Sequence, residues 1–194
     1  MSINVGKEWR FMDDMDDSQS KLTECWGFAY EHHKYQTYGS KPYMYHLKKV
    51  KDVALECGYT DESILMSCIL HDIIEDTQVK YQDVKNNFGK EVAEIVYCVT
   101  DELGRNRKER KLKTYKKIYK NPKSIVVKLC DRISNITQSM SIDDFNLKLM
   151  KMYLDEHIDF VKGISNESSL DLTKKCWIKY YSVIEKLKIK LKHL

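Results

Sequence analysis

The stretch Leu70-His71-Asp72-Ile73-Ile74-Glu75-Asp76-Thr77 sets an imidazole beside a carboxylate and follows it, within one helical turn, with a second pair of carboxylates. An apolar run (Ile64, Leu65, Met66, Cys68, Ile69, Leu70) leads straight into it, which places the polar group at the inner end of a helix. Charges in such a place are costly unless they are paired or hold a cation. A divalent metal with an activated water supplies that compensation, and points to hydrolysis of a phosphate ester or anhydride.

Asp131 is the second unusual position. It interrupts an apolar segment, with Val126, Val127, Leu129 and Cys130 before it and Ile133 and Ile136 after, and Asn135 lies on its helix face. Alone, Asp131 beside Arg132 reads as a structural ion pair, and His46 alone as a hydrogen-bonded core histidine. Together, His46, His71, Asp72 and Asp131 make a mixed nitrogen and oxygen shell. Such a shell suits manganese, iron or zinc and leaves positions for water and substrate.

The elements that must position these residues read as helices. At 194 residues the chain is long enough for one domain with a real core, and 2 Pro with 7 Gly leave little turn chemistry for sheets. The expectation is an all-α fold with the metal site in the core of a helix bundle. Leu22, Cys25, Trp26, Ala29 and His33 recur at helical spacing, with Asp17 or Ser18 as the cap. Gly39-Ser40-Lys41-Pro42 breaks that helix and Pro42 opens the next, which carries Tyr43, His46, Leu47, Val50 and Ala54 and ends at Gly58. Thr60-Asp61-Glu62 caps the helix running into His71-Asp72. Helices follow around 81–88 and 90–100, separated by Gly89. A polar loop over 101–110 comes next, then helices near 110–119 and across the Asp131 segment. Two long helices over 143–162 and 171–192 finish the chain. Residues 1–17 read as a loose N-terminal segment, 18–164 as the domain that carries the site, and 165–194 as a C-terminal helix packed on it.

The bulk numbers exclude several function classes. A net charge of +4 suits an anionic ligand, but the lysines are scattered rather than massed, so no nucleic-acid footprint is present. No apolar run approaches bilayer length, and the first residues lack the pattern of a secretory signal, so a cytoplasmic protein is expected. The cysteines at 25, 57, 68, 98, 130 and 176 have no metal-ligand spacing and read as buried free thiols.

The order and surroundings of these blocks resemble the HD superfamily of metal-dependent phosphohydrolases. More narrowly they resemble the hydrolase domain of RelA/SpoT-type alarmone enzymes and their small free-standing relatives, the metazoan SpoT homologues among them. The matching blocks are Lys41-Pro42-Tyr43-Met44-Tyr45-His46; Leu70 through Thr77; Phe88-Gly89 leading to Val99-Thr100; Val127 through Asn135; and Tyr153 through Val161-Lys162-Gly163. The His-Asp dipeptide alone is unspecific. His-Asp-x-x-Glu-Asp-Thr followed by Val-Lys-Leu-x-Asp-Arg-x-x-Asn is specific for this subgroup.

The resemblance implies a single helical HD-domain fold and one manganese ion, or another divalent metal, held by His46, His71, Asp72 and Asp131. It implies that Glu75 and Asp76 orient or deprotonate the attacking water and manage protons at the leaving oxygen. It implies substrate contacts from Lys41, Tyr43, Arg107, Lys128, Arg132, Asn135 and Tyr153. The implied reaction removes the 3′-pyrophosphate of ppGpp or pppGpp, giving GDP or GTP and pyrophosphate, in a stand-alone (p)ppGpp 3′-pyrophosphohydrolase. The partner is thus a small nucleotide, with no nucleic acid and no membrane, and the oligomeric state is open. The family's base-stacking arginine is missing from Gln36-Thr37-Tyr38-Gly39-Ser40. Either Tyr38 stacks on the base or guanine recognition is lost. The alternatives are an HD phosphohydrolase of another small phosphorylated nucleotide, or a module that binds an alarmone without turnover.

Overall fold

Helical spacing of apolar residues becomes helix almost wherever it occurs, in a computed structural model that describes residues 20–194. The proposed cap at Asp17 or Ser18 and the segment 1–17 lie outside the described residues. Helix α1 (Ser20–His33) buries Leu22, Cys25, Trp26 and Ala29. The chain then makes a hairpin of two-residue strands, β1 (Thr37–Tyr38) and β2 (Lys41–Pro42), paired antiparallel with Tyr38 opposite Lys41. Gly39 turns it with φ of 61°, a left-handed conformation that glycine adopts without strain. Pro42 stands at the N-cap of α2 (Tyr43–Glu56), just before the helix rather than inside its first turn. Gly58, at φ 81°, ends the connection after it.

Asp61 caps α3 (Glu62–Leu70) by accepting the Ile64 N–H at 3.1 Å. Every residue from Ser63 to Leu70 is buried. This helix is therefore apolar all round and central, not amphipathic. It stops at His71, and the short α4 (Ile73–Asp76) begins after Asp72. Helix α5 (Tyr81–Val99) is bent where Gly89 takes φ 86°, so it is the expected pair of helices joined at that glycine. The polar loop is shorter than its composition predicts. Asn106 accepts the Glu109 N–H and starts α6 at Arg107 (Arg107–Ile118), so the basic residues Arg107, Lys108, Arg110 and Lys111 lie on a helix.

Helix α7 (Pro122–Ser139) is the axis of the molecule, buried without interruption from Ser124 to Ser134. The helix expected over 143–162 is two: α8 (Leu147–Asp155), opened by the Asn146 cap, and α9 (His157–Ile164), with Glu156 at the break. A 3-10 turn (Glu167–Ser169) leads to α10 (Leu170–Lys192), which packs chiefly along α7. There the Cys130 and Cys176 sulfurs lie 3.6 Å apart as free thiols. The fold is all-α, its only sheet among the described residues being the hairpin. No helix among them is long and apolar enough to cross a membrane.

Candidate metal centre and active site

His46 sits one turn into α2, His71 at the end of α3, Asp72 beside it, and Asp131 midway along α7. Packing of α2 and α3 against α7 brings them together from across 85 residues of chain (131 minus 46). The two Nε2 atoms face each other at 3.2 Å. Asp131 Oδ1 lies 3.5 Å from His46 Nε2 and 3.7 Å from His71 Nε2. Asp72 Oδ2 lies 2.8 Å from His71 Nε2 and 3.7 Å from His46 Nε2. Donor atoms of His46, His71 and Asp131 thus fall within 4.8 Å of one another, with Asp72 drawn in on the imidazole side.

The donor chemistry fits a divalent cation. The carbonyl of Cys68 can only accept, so His71 Nδ1, 2.9 Å away, carries its proton. The neutral ring then turns a bare Nε2 lone pair into the cluster, the tautomer a metal requires. His46 Nδ1 is buried with no hydrogen-bond partner. Burial opposes charge on His71, but the neighbouring Asp72 carboxylate outweighs it and pushes the imidazole pKa up to about 9. Burial pushes Asp72 and Asp131 up as well. His71 beside the first and Lys128 beside the second outweigh it, so both carboxyls lie well below the usual range. The field that draws a proton onto His71 would equally hold a metal ion there.

Glu75 and Asp76 stand one turn beyond, on the solvent-open side. Glu75 Oε2 accepts the Asp101 N–H at 2.9 Å, and protein crowding around the carboxyl raises its pKa. Asp76 is raised for the same reason. The Tyr43 hydroxyl lies 2.6 Å from Asp72 Oδ2 and 3.0 Å from Asp76 Oδ2, and its one proton bridges a metal-facing carboxylate to the outer acid. Tyr43 is therefore part of the acid cluster, and His33, stacked on it at 4.8 Å, backs it from α1.

The predicted substrate contacts divide into groups. Lys128 Nζ donates to Asp131 Oδ2 at 2.9 Å, and that carboxylate keeps the buried ammonium charged against its desolvation. Asn135 Nδ2 donates to Asp131 Oδ1. Arg132 is buried, its guanidinium 5.0 Å above the Tyr153 ring and 4.6 Å above the Phe160 ring, and bonded to Glu156 at 2.9 Å. Arg107 meets the same Glu156 at 2.5 Å. Lys41 turns to Asp144 at 3.4 Å and Asp143 at 3.7 Å. Lys128, Asn135 and Tyr43 thus touch the candidate ligands directly. Arg132 and Arg107 are joined through Glu156, Tyr153 lies against the Arg132 guanidinium, and Lys41 is tied to the loop of Asp143 and Asp144.

Two residues, Glu156 and Asp101, escaped sequence reading, as did the packing of a third, Tyr38, on His46. Glu156 gathers two guanidinium groups, and Asp101 holds Lys111 at 2.8 Å, yet both look like surface acids in sequence. Tyr38 lies with its ring 4.5 Å from that of His46 at an interplanar angle of 12°, so His46 covers one of its faces. Burial pushes its phenol pKa up, and the hydroxyl stays a donor. No pattern in the sequence signals that contact, because it depends on the hairpin's placement.

The family model described as "HD domain" matches residues 25–145. The Drosophila melanogaster guanosine-3′,5′-bis(diphosphate) 3′-pyrophosphohydrolase MESH1 is 32% identical over 122 residues, which is 60% of this chain and 68% of that protein. Its Xenopus tropicalis counterpart is 28% identical over 163 residues, covering 80% of this chain and 91% of its own. The bifunctional (p)ppGpp synthase/hydrolase SpoT of Escherichia coli K12 is 35% identical over 129 residues, 62% of this chain but 18% of SpoT. A solved structure of a metazoan ortholog of SpoT superposes with a TM-score of 0.73 at 24% identity, over 89% of this chain and 98% of the other, which shows a shared fold. The family match spans 121 of the 194 residues (145 − 25 + 1) and contains all four residues of the cluster, so this chain belongs to the HD-domain family.

Proposed function

We propose that this protein is a metal-dependent hydrolase that removes the 3′-pyrophosphate of ppGpp and pppGpp, with manganese as its ion. The observation that carries the reading is the convergence of His46, His71, Asp72 and Asp131 with two further acids, Glu75 and Asp76, beside them. The pyrophosphohydrolase relatives support the choice of substrate. The four residues would hold the ion. When bound, it supplies a Lewis acid that acidifies water and offsets phosphate charge.

The protein's own groups do the rest. Glu75, its pKa raised by crowding, is suited to take a proton from the water that attacks phosphorus. Asp76, linked to Tyr43, is placed to return a proton to the ribose oxygen as the phosphorus–oxygen bond breaks and pyrophosphate leaves. Lys128 keeps its positive charge beside Asp131 and adds to the field that receives a polyphosphate. Arg107 and Lys111 trade their carboxylate partners, Glu156 and Asp101, for substrate phosphates.

The test is incubation of the purified protein with manganese and ppGpp, followed by product identification. GDP and pyrophosphate are expected. Orthophosphate released from a different nucleotide would favour another substrate, and binding without products would favour a non-catalytic module. Glu75→Gln should keep its manganese and lose roughly 10²–10⁴-fold in kcat, the span of general-base contributions. A Glu75→Gln protein that loses its metal would refute this division of roles.

A further inference from the structure

Tyr38 belongs to no part of the reaction described above, yet it touches one of the four candidate ligands, His46, and reaches a second, Asp131, through Asn135. Its ring lies flat on that of His46, 4.5 Å away at 12°. Its hydroxyl donates to Asn135 Oδ1 at 2.6 Å, and Asn135 Nδ2 donates in turn to Asp131 Oδ1. That same Asp131 oxygen faces both imidazoles, at 3.5 and 3.7 Å. The phenol thus begins a hydrogen-bond chain that ends on a metal-facing atom.

The chain has one workable direction. A carboxylate only accepts, so Asn135 must turn its amide nitrogen to Asp131. The amide oxygen then points away and needs a donor, and Tyr38 supplies it. Without the hydroxyl, the amide oxygen loses its donor, and only the bond to Asp131 is left to hold the amide in this orientation. If it turned over, its oxygen would meet the carboxylate without a proton between them.

The hairpin carries that ring and is itself held in place. Gly39 and Ser40 form a two-residue turn with Gly39 at φ 61°, and Tyr38 pairs with Lys41 across it. From outside, Asp144 grips the turn through Ser40 at 3.4 Å and Lys41 at 3.4 Å, and Gln138 holds Asp144. A Cβ at position 39 would lie 2.8 Å from Asp144 Oδ1 and would push that carboxylate aside, in addition to the strain it would meet at φ 61°. Before the hairpin, the Gln36 carbonyl accepts the Tyr43 N–H at 3.1 Å and its side chain donates to the Asp76 carbonyl at 2.7 Å.

We propose that Tyr38 is a positioning residue of the metal centre, aligning the His46 ring by stacking and the Asp131 carboxylate through Asn135. The proposal rests on reading the cluster as a cation site. Groups that orient ligands in this way are worth roughly 10–100-fold in metal affinity.

The experiment is calorimetric titration of the metal-free protein with manganese, for the wild type, Tyr38→Phe, Asn135→Ala and the double variant. Tyr38→Phe keeps the ring and removes only the donor, so its thermal midpoint without metal should stay near that of the wild type. Its manganese affinity should fall about 10-fold. Because Tyr38 acts through Asn135, the double variant should bind no more weakly than Asn135→Ala alone. Wild-type affinity in Tyr38→Phe, or losses that multiply in the double variant, would overturn the proposal. A wild type that takes up no manganese would instead defeat the cation reading beneath it.

Discussion

At the scale of the residue, Asp131 shows how an ionised group is kept inside a protein. Lys128 holds one of its oxygens and Asn135 the other, and the pocket adds two imidazoles. Removing one member of such a buried pair leaves an uncompensated charge, worth about 3–5 kcal/mol. Lys128→Met should therefore destabilise the metal-free protein by about that amount. With manganese beside Asp131 the loss should be smaller, because the ion supplies positive charge to the same carboxylate. Urea unfolding of wild type and variant, with chelator and with manganese, measures both. Equal losses under the two conditions would mean that no cation sits next to Asp131.

At the scale of the element, two glycines in helices separate packing from propensity. A Cβ on Gly163, in α9, would fall 2.4 Å from Tyr115 Cδ2 and 2.9 Å from Tyr115 Cβ, where α9 crosses α6. Tyr115 is buried and cannot swing aside, so Gly163→Ala should cost about 1–3 kcal/mol through overpacking. Gly27, inside α1, has nothing within 4 Å of its would-be Cβ. There Gly27→Ala should stabilise by about 0.5–1 kcal/mol from helix propensity alone. Thermal melts should move in opposite directions, and a Gly163→Ala protein as stable as the wild type would contradict the packing of α9 on α6. The same contrast explains what could be read in the sequence. Helices α3 and α7 announce themselves as long apolar runs, and the residues that interrupt them, His71-Asp72 and Asp131, stand out for that reason. The hairpin strands have two residues each, too few for any period, so Tyr38 was legible only as a departure from a pattern. The break at Glu156 was hidden because the apolar spacing continues across it, from Met152 and Tyr153 to Phe160.

At the scale of the whole molecule, the centre ties together helices that the chain supplies far apart. His46 comes from α2, His71 and Asp72 from the end of α3, and Asp131 from α7, against which α10 also packs. An ion held by all four joins these helices only in the folded state, so its binding energy adds to folding energy. At a free manganese concentration one hundred times Kd, the gain is about 2.7 kcal/mol. For a chain of this size each kcal/mol moves the melting temperature by roughly 2–4 °C, so manganese should raise it by about 5–10 °C. Chelation should reverse the gain. His71→Ala removes one donor, so whatever its melting temperature without metal, that temperature should barely respond to the metal. A differential scanning experiment on the two proteins decides the matter. A wild type whose transition ignores manganese, or an His71→Ala variant that responds just as strongly, would show that the ion does not bridge these helices.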